Sequence, residues 1–75
     1  MLEELQKVFR EVFADNNLQI TTKTSAKDIK MWDSLTHLEL IASVEKTFGI
    51  QFTFVEVMQF DCVGDMIAAL ERLKQ

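Results

Sequence analysis

An all-α fold is what this sequence predicts: a small four-helix bundle with three main helices, one short third helix, and a long loop between helices one and two. Three observations carry the prediction. Apolar residues recur at spacings of three and four in three separate stretches, the period of an amphipathic helix. Proline is missing and the glycines are two, Gly49 and Gly64, whereas an all-β sandwich needs a turn signal every few residues. Seventy-five residues, 48% of them hydrophobic and 27% charged, suit one globular domain spanning 1–75.

The first helix is expected over 2–14. Leu2, Leu5, Val8, Phe9, Val12 and Phe13 form its apolar stripe, and Glu3, Glu4, Lys7, Arg10 and Glu11 face the other way. Asp15-Asn16-Asn17 ends it, because Asn tolerates the left-handed cap conformation better than any residue except Gly. The seventeen residues from Asn16 to Trp32 then carry no clear element. A connection that long in so small a domain is a functional or packed loop, with Ile20, Ile29, Met31 and Trp32 as its anchors. The second helix is expected over 34–48, with Asp33 as N-cap and Gly49 as the terminating glycine. A short helix over 53–59 follows, although Phe52, Phe54, Val55 and Val57 also suit a strand. The last helix is expected over 62–74, capped by Asp61, with Val63, Met66, Ile67, Leu70 and Leu73 as its stripe.

Composition excludes several functions. Cys62 is the only cysteine, so an intramolecular disulfide is impossible, and Cys62 with His37 cannot supply a protein-only zinc site. No metal site is expected. Eight basic residues against twelve acidic ones, a net charge of −4, do not provide the phosphate contacts of a nucleic-acid binder. The charge is uneven: residues 33–65 hold six acids against Lys46 alone, a balance of −5. An acidic middle fits either a solvated surface or steering toward a basic partner. No apolar run reaches the ~20 residues of a membrane span, and the N-terminus lacks the pattern of a signal peptide, so a cytoplasmic monomer is expected.

The second helix has more apolar surface than one core face requires. At 100° per residue Leu40, Ile41, Val44 and Phe48 make one stripe. Leu35, Leu38 and Ala42 form a shoulder beside it, edged by Glu39, Glu45 and Lys46. The shoulder is either a widened core face or a docking surface with an apolar centre and polar rim. At the head of the helix stands Trp32-Asp33-Ser34-Leu35. A hydroxyl in the first helical turn sits where free N–H groups and the positive end of the dipole favour a phosphate. Asp33 could cap the helix or help hold a metal ion during attachment. Taken alone, Asp33 and Ser34 are equally well explained as ordinary capping residues.

The wider pattern adds to this. Asp33-Ser34-Leu35, then Leu38-Glu39-Leu40, Glu45 and Phe48-Gly49-Ile50, resembles the second helix of the acyl carrier protein family. The resemblance extends to the order of helices and the long first loop over nearly the whole chain. It implies that Ser34 carries a 4′-phosphopantetheine arm, with Asp33 beside it, and that the arm's thiol holds acyl groups as thioesters. It implies as partners a phosphopantetheinyl transferase (holo-acyl carrier protein synthase), which uses coenzyme A and Mg²⁺, and acyl-transferring, condensing and modifying enzymes. Partner binding then falls to Leu35, Leu38, Glu39, Ala42, Glu45 and Glu56. An acyl pocket would be lined by Leu40, Ile41, Val44, Ile50, Phe52, Val57, Phe60 and Val63, each equally explained as core. Such a protein is not an enzyme: no catalytic residues are expected, and His37, one turn after Ser34, reads as a residue at the core edge.

Departures from the family pattern point away from the general fatty-acid synthase. Thr36, Lys46 and Thr47 stand where fatty-acid carriers often have acids, and Trp32 stands where many have a small residue. They suggest a specialised lipid, polyketide or surface-polysaccharide pathway. A peptidyl or D-alanyl carrier of the same fold, or an unmodified helical adaptor, are the alternatives.

Overall fold

The computed structural model describes residues 1–74, and four helices account for its regular structure: α1 (Leu2–Val12), α2 (Ser34–Phe48), α3 (Phe54–Gln59) and α4 (Val63–Leu73). The helices keep the expected order; α2 has the expected bounds, and the ends of the other three differ by at most two residues. Among the described residues no strand forms, and the only β feature is an isolated antiparallel bridge between Ser25 and Cys62.

The core is built from the predicted stripes. Leu5, Val8 and Phe9 of α1, Leu40, Ile41, Val44 and Phe48 of α2, and Val63, Met66, Ala69 and Leu70 of α4 are buried. Only Val57 of α3 joins them fully. No polar or charged residue is buried among the described residues. Specificity in this core therefore comes from shape, chiefly from aromatic rings. Trp32 packs edge-on against Phe9, with ring centroids 5.4 Å apart, and lies 6.2 Å from Phe13.

α1 ends at Val12, and the residue that takes the left-handed conformation is Ala14 (φ 51°), not one of the asparagines. The backbone N–H of Asp15 reaches back to the Arg10 carbonyl at 3.0 Å, and that of Ala14 to Glu11 at 3.3 Å. Both bonds satisfy carbonyls that the helix end leaves open, which is why a Cβ is tolerated there. Gly49 ends α2 in the same conformation (φ 66°), as its position predicted.

The loop between α1 and α2 is held by side chains from α1. Gln6 Oε1 accepts from the Ile20 N–H at 2.9 Å, and Arg10 Nε donates to the Leu18 carbonyl at 2.7 Å. Ile20, Ile29 and Trp32 are buried as expected, but the Met31 side chain is largely exposed and is not a core anchor. The loop also caps α4. The Thr24 and Thr22 carbonyls accept from the N–H groups of Val63 and Gly64, both at 2.8 Å. These are first-turn donors with no partner inside the helix. The N-cap of α4 is Cys62 rather than Asp61, and Asp65 closes the turn by accepting from the backbone of both residues.

Candidate functional site

Asp33 determines how α2 begins. Its Oδ1 accepts from the N–H groups of Leu35 at 3.0 Å and Thr36 at 2.9 Å, while Thr36 Oγ1 accepts from the Asp33 N–H at 2.7 Å. Thr36 Oγ1 also donates to the Met31 carbonyl at 2.7 Å, tying the last turn of the loop to the helix. The hydrogen bonds from Thr36, backbone first and then side chain, hold the Asp33 carboxyl below its ordinary value, assisted by the Leu35 N–H. Asp33 is thus the ionised cap of α2, and of the two roles open to it the geometry serves this one.

Ser34 is the first residue of α2 and is exposed. Its hydroxyl lies at the positive end of a helix of 15 residues. The expected anion cradle is smaller than the sequence implied, because Asp33 already occupies the N–H groups of Leu35 and Thr36. What the position offers a phosphate is access and the dipole rather than a ring of free donors. A phosphodiester on an exposed serine fits this position without any buried charge.

The shoulder of α2 is not core. Leu35 and Leu38 are 68% and 58% exposed, and Ala42 and Glu39 are exposed beside them. Two expected rim acids behave differently. Glu45 Oε2 accepts from the Phe52 N–H at 2.8 Å, turning the chain after α2. Glu56 completes the N-terminal box of α3, accepting from the Thr53 N–H at 3.0 Å, and pairs with Arg72 of α4. Both are therefore engaged within the fold rather than free at a rim. In their place α3 presents apolar residues: Phe54, Val55 and Met58 are 75%, 61% and 66% exposed. None of these three is among the residues expected to bind partners; the signal for Phe54 and Val55 is their β-favouring apolar character on a helix too short to bury it, and Met58 carries no such signal.

Of the eight residues expected to line an acyl pocket, Leu40, Ile41, Val44, Phe52, Val57 and Val63 are buried, and Ile50 and Phe60 are half-buried against them. Phe52 meets Phe60 edge to face with centroids 5.1 Å apart. A shallow hollow of about 500 Å³ lies between α3 and α4, and Phe60 is the only one of the eight in its lining. His37 is more than an edge residue. Its Nδ1 accepts from Trp32 Nε1 at 3.0 Å, and its Nε2 lies 3.0 Å from the Val57 carbonyl.

Residues 3–70 match the family described as a phosphopantetheine attachment site. The chain belongs to the acyl carrier protein family. A structure of the holo acyl carrier protein from Geobacter metallireducens is 38% identical, superposes with a TM-score of 0.91, and covers 97% of this chain and 84% of its own. A putative acyl carrier protein from Mycobacterium tuberculosis, 23% identical, has the same fold, with a TM-score of 0.83 and 93% of each chain covered. A search of curated protein sequences gave no match. As a member of this family the chain is a carrier and not a catalyst, and its cofactor is a covalently attached phosphopantetheine. Among the described residues no helix is long and apolar enough to cross a membrane.

Proposed function

We propose that Ser34 is the attachment point of the phosphopantetheine arm, and that the carrier serves a specialised acyl pathway by docking through an apolar face. The observation that carries the first part is an exposed serine at the first position of α2, directly after an ionised N-cap. In the attachment step the Ser34 oxygen forms a bond to the β-phosphorus of coenzyme A. The pyrophosphate bond breaks, adenosine 3′,5′-bisphosphate leaves, and the hydroxyl proton passes to the transferase or to water. Mg²⁺ on the transferase neutralises the phosphates. Asp33 contributes by holding the first turn of α2 in place.

The exposed residues Leu35, Leu38 and Ala42 on α2, with Phe54, Val55 and Met58 on α3, support an apolar recognition face. Glu39 is its remaining free acid, since Asp33, Glu45 and Glu56 are engaged within the fold. Partner enzymes fitted to this carrier would accordingly present apolar side chains rather than a basic patch. That difference supports a dedicated lipid, polyketide or surface-polysaccharide pathway over the general fatty-acid synthase.

Incubation with coenzyme A, Mg²⁺ and a broad transferase, followed by peptide mapping, tests the attachment. The added mass should sit on the peptide containing Ser34, and Ser34→Ala should abolish it without moving the thermal midpoint. Label on Ser25 or Ser43, or undiminished label on Ser34→Ala, overturns the assignment. No label on the Ser34 peptide overturns it as well.

A further inference from the structure

A helix of six residues does not persist alone, and α3 buries only Val57 fully, so its place depends on what fastens it. At 100° per residue its exposed Phe54, Val55 and Met58 share one side. Two side chains from other helices hold it. Arg72 of α4 pairs with Glu56, and Nε2 of His37 on α2 lies 3.0 Å from the Val57 carbonyl. The other ring nitrogen, Nδ1, is 3.0 Å from Trp32 Nε1. An indole N–H can only donate and a backbone carbonyl can only accept. The ring is therefore the neutral tautomer with its proton on Nε2, accepting from Trp32 and donating to Val57. Stacking on the Trp32 indole, with planes 18° from parallel, fixes its orientation. The Val57 carbonyl lies in the last turn of α3, and the N–H four residues on, that of Asp61, goes to Asp65 Oδ2 at 2.9 Å. The imidazole supplies a donor in its place.

His37 itself does not face the apolar surface. On the projection of α2 it falls among Leu40, Ile41, Val44 and Phe48, roughly half a turn from Leu35, and it is half-buried. Its neighbours do face it: Leu38 follows His37 on α2 as Met58 follows Val57 on α3. We propose that His37 is a positioning residue of the docking face. By holding Val57 it keeps Phe54, Val55 and Met58 of α3 in register with Leu35 and Leu38 of α2, so that a partner enzyme meets one apolar surface rather than two. The proposal rests on the reading that these residues form the docking face. Without the bridge a partner must order α3 as it binds, a cost that weakens association and leaves the chemistry at Ser34 untouched.

The test measures KM and kcat of a broad phosphopantetheinyl transferase for the apo protein at saturating coenzyme A. His37→Ala should raise KM about three- to tenfold with kcat within about twofold of wild type. His37→Gln, whose amide can accept from Trp32 and donate to Val57, should restore most of the loss. In the free proteins, amide exchange across α3 should be about tenfold faster in His37→Ala, with α1 unchanged. A double-mutant cycle supplies the decisive reading. Phe54→Ala should raise KM about three- to tenfold in wild type but less than about twofold in His37→Ala, whereas Leu35→Ala should cost the same in both. Phe54→Ala and His37→Ala effects that simply multiply overturn the proposal, as do an unchanged KM in His37→Ala, a loss that falls on kcat, or α3 exchange indifferent to the substitution. If His37→Ala does not fold, His37→Phe, which keeps a ring but can make neither bond, takes its place in the cycle and the same outcomes decide. An unchanged KM in both Leu35→Ala and Phe54→Ala overturns the docking face itself and the proposal with it, whereas a docking face that does not need His37 overturns the proposal alone.

Discussion

Asp33 shows how one residue organises the site. Its carboxyl is held below its ordinary value of 3.8 by hydrogen bonds that exist only in the folded chain. The stabilisation is therefore fully present above pH 3.8 and is lost as the pH falls through the lower folded value. Asp33→Asn keeps an acceptor at the cap but removes the charge. Wild type should melt higher than Asp33→Asn at pH 6, and the gap should close as the pH drops below 4. A gap constant with pH would show that the charge contributes nothing. The two glycines separate two other costs. Gly49 has no atom within 4 Å of where a Cβ would stand, so only its φ of 66° penalises substitution. At Gly64 a Cβ would meet the Thr22 carbonyl oxygen at 2.9 Å, a backbone atom in the loop that caps α4. Gly64→Ala should cost about 1–3 kcal/mol, read as a lower urea midpoint. An unchanged midpoint would mean that the loop yields at no cost.

At the scale of elements, α2 and α3 share a surface whose chemistry the sequence only half disclosed. The stripe of Leu40, Ile41, Val44 and Phe48 was readable as core because its period matches a helix packed on one side. The shoulder of Leu35, Leu38 and Ala42 could be core or surface until packing decided, because periodicity does not say how wide a face the neighbours cover. Charge was the harder matter. Glu45 and Glu56 look like free acids in the chain, yet one bonds the Phe52 N–H and the other pairs with Arg72. Docking should therefore depend on apolar side chains. Leu35→Ala and Phe54→Ala should each lower kcat/KM for acyl transfer by a partner about three- to tenfold with little change in stability. Glu39→Gln should have a smaller effect that fades at high salt. Glu45→Ala should instead cost about 1 kcal/mol of stability and leave transfer unchanged. Equal salt sensitivity in Leu35→Ala and Glu39→Gln would contradict this division. Thr36 belongs with the structural group: half-buried in the capping box of α2, it is not a free surface position where an acid could be placed without loss.

For the whole molecule, Trp32 is the point where the loop, α1 and α2 meet. Its ring packs on Phe9 and Phe13 and its N–H bonds His37. Trp32→Ala should cost about 3–5 kcal/mol. A domain of this size has a net stability of about the same amount, so the variant should be largely unfolded by far-ultraviolet circular dichroism at 25 °C. Trp32→Phe keeps the aromatic packing and loses the hydrogen bond, so it should fold with a midpoint several degrees lower. A fully folded Trp32→Ala would place the weight of the fold on the helix contacts alone. Lys74 Nζ adds a tie at the far end, donating to the Phe48 carbonyl at 3.0 Å and joining the end of α4 to that of α2.

The amino-acid sequence by itself determined the helices, their order, the caps at Asp33 and Gly49 and the position of Ser34. Each of these is local, set by apolar period, by a side chain that reaches a backbone N–H two or three residues away, or by the freedom of glycine. Tertiary structure decided whatever depended on residues distant along the chain. It turned Glu45 and Glu56 inward, exposed Met31, moved the cap of α4 from Asp61 to Cys62, and made His37 a bridge between Trp32 and Val57. The reason is physical: a hydrogen bond between residues 37 and 57 has no periodic signature, and exists only after α3 folds back onto α2.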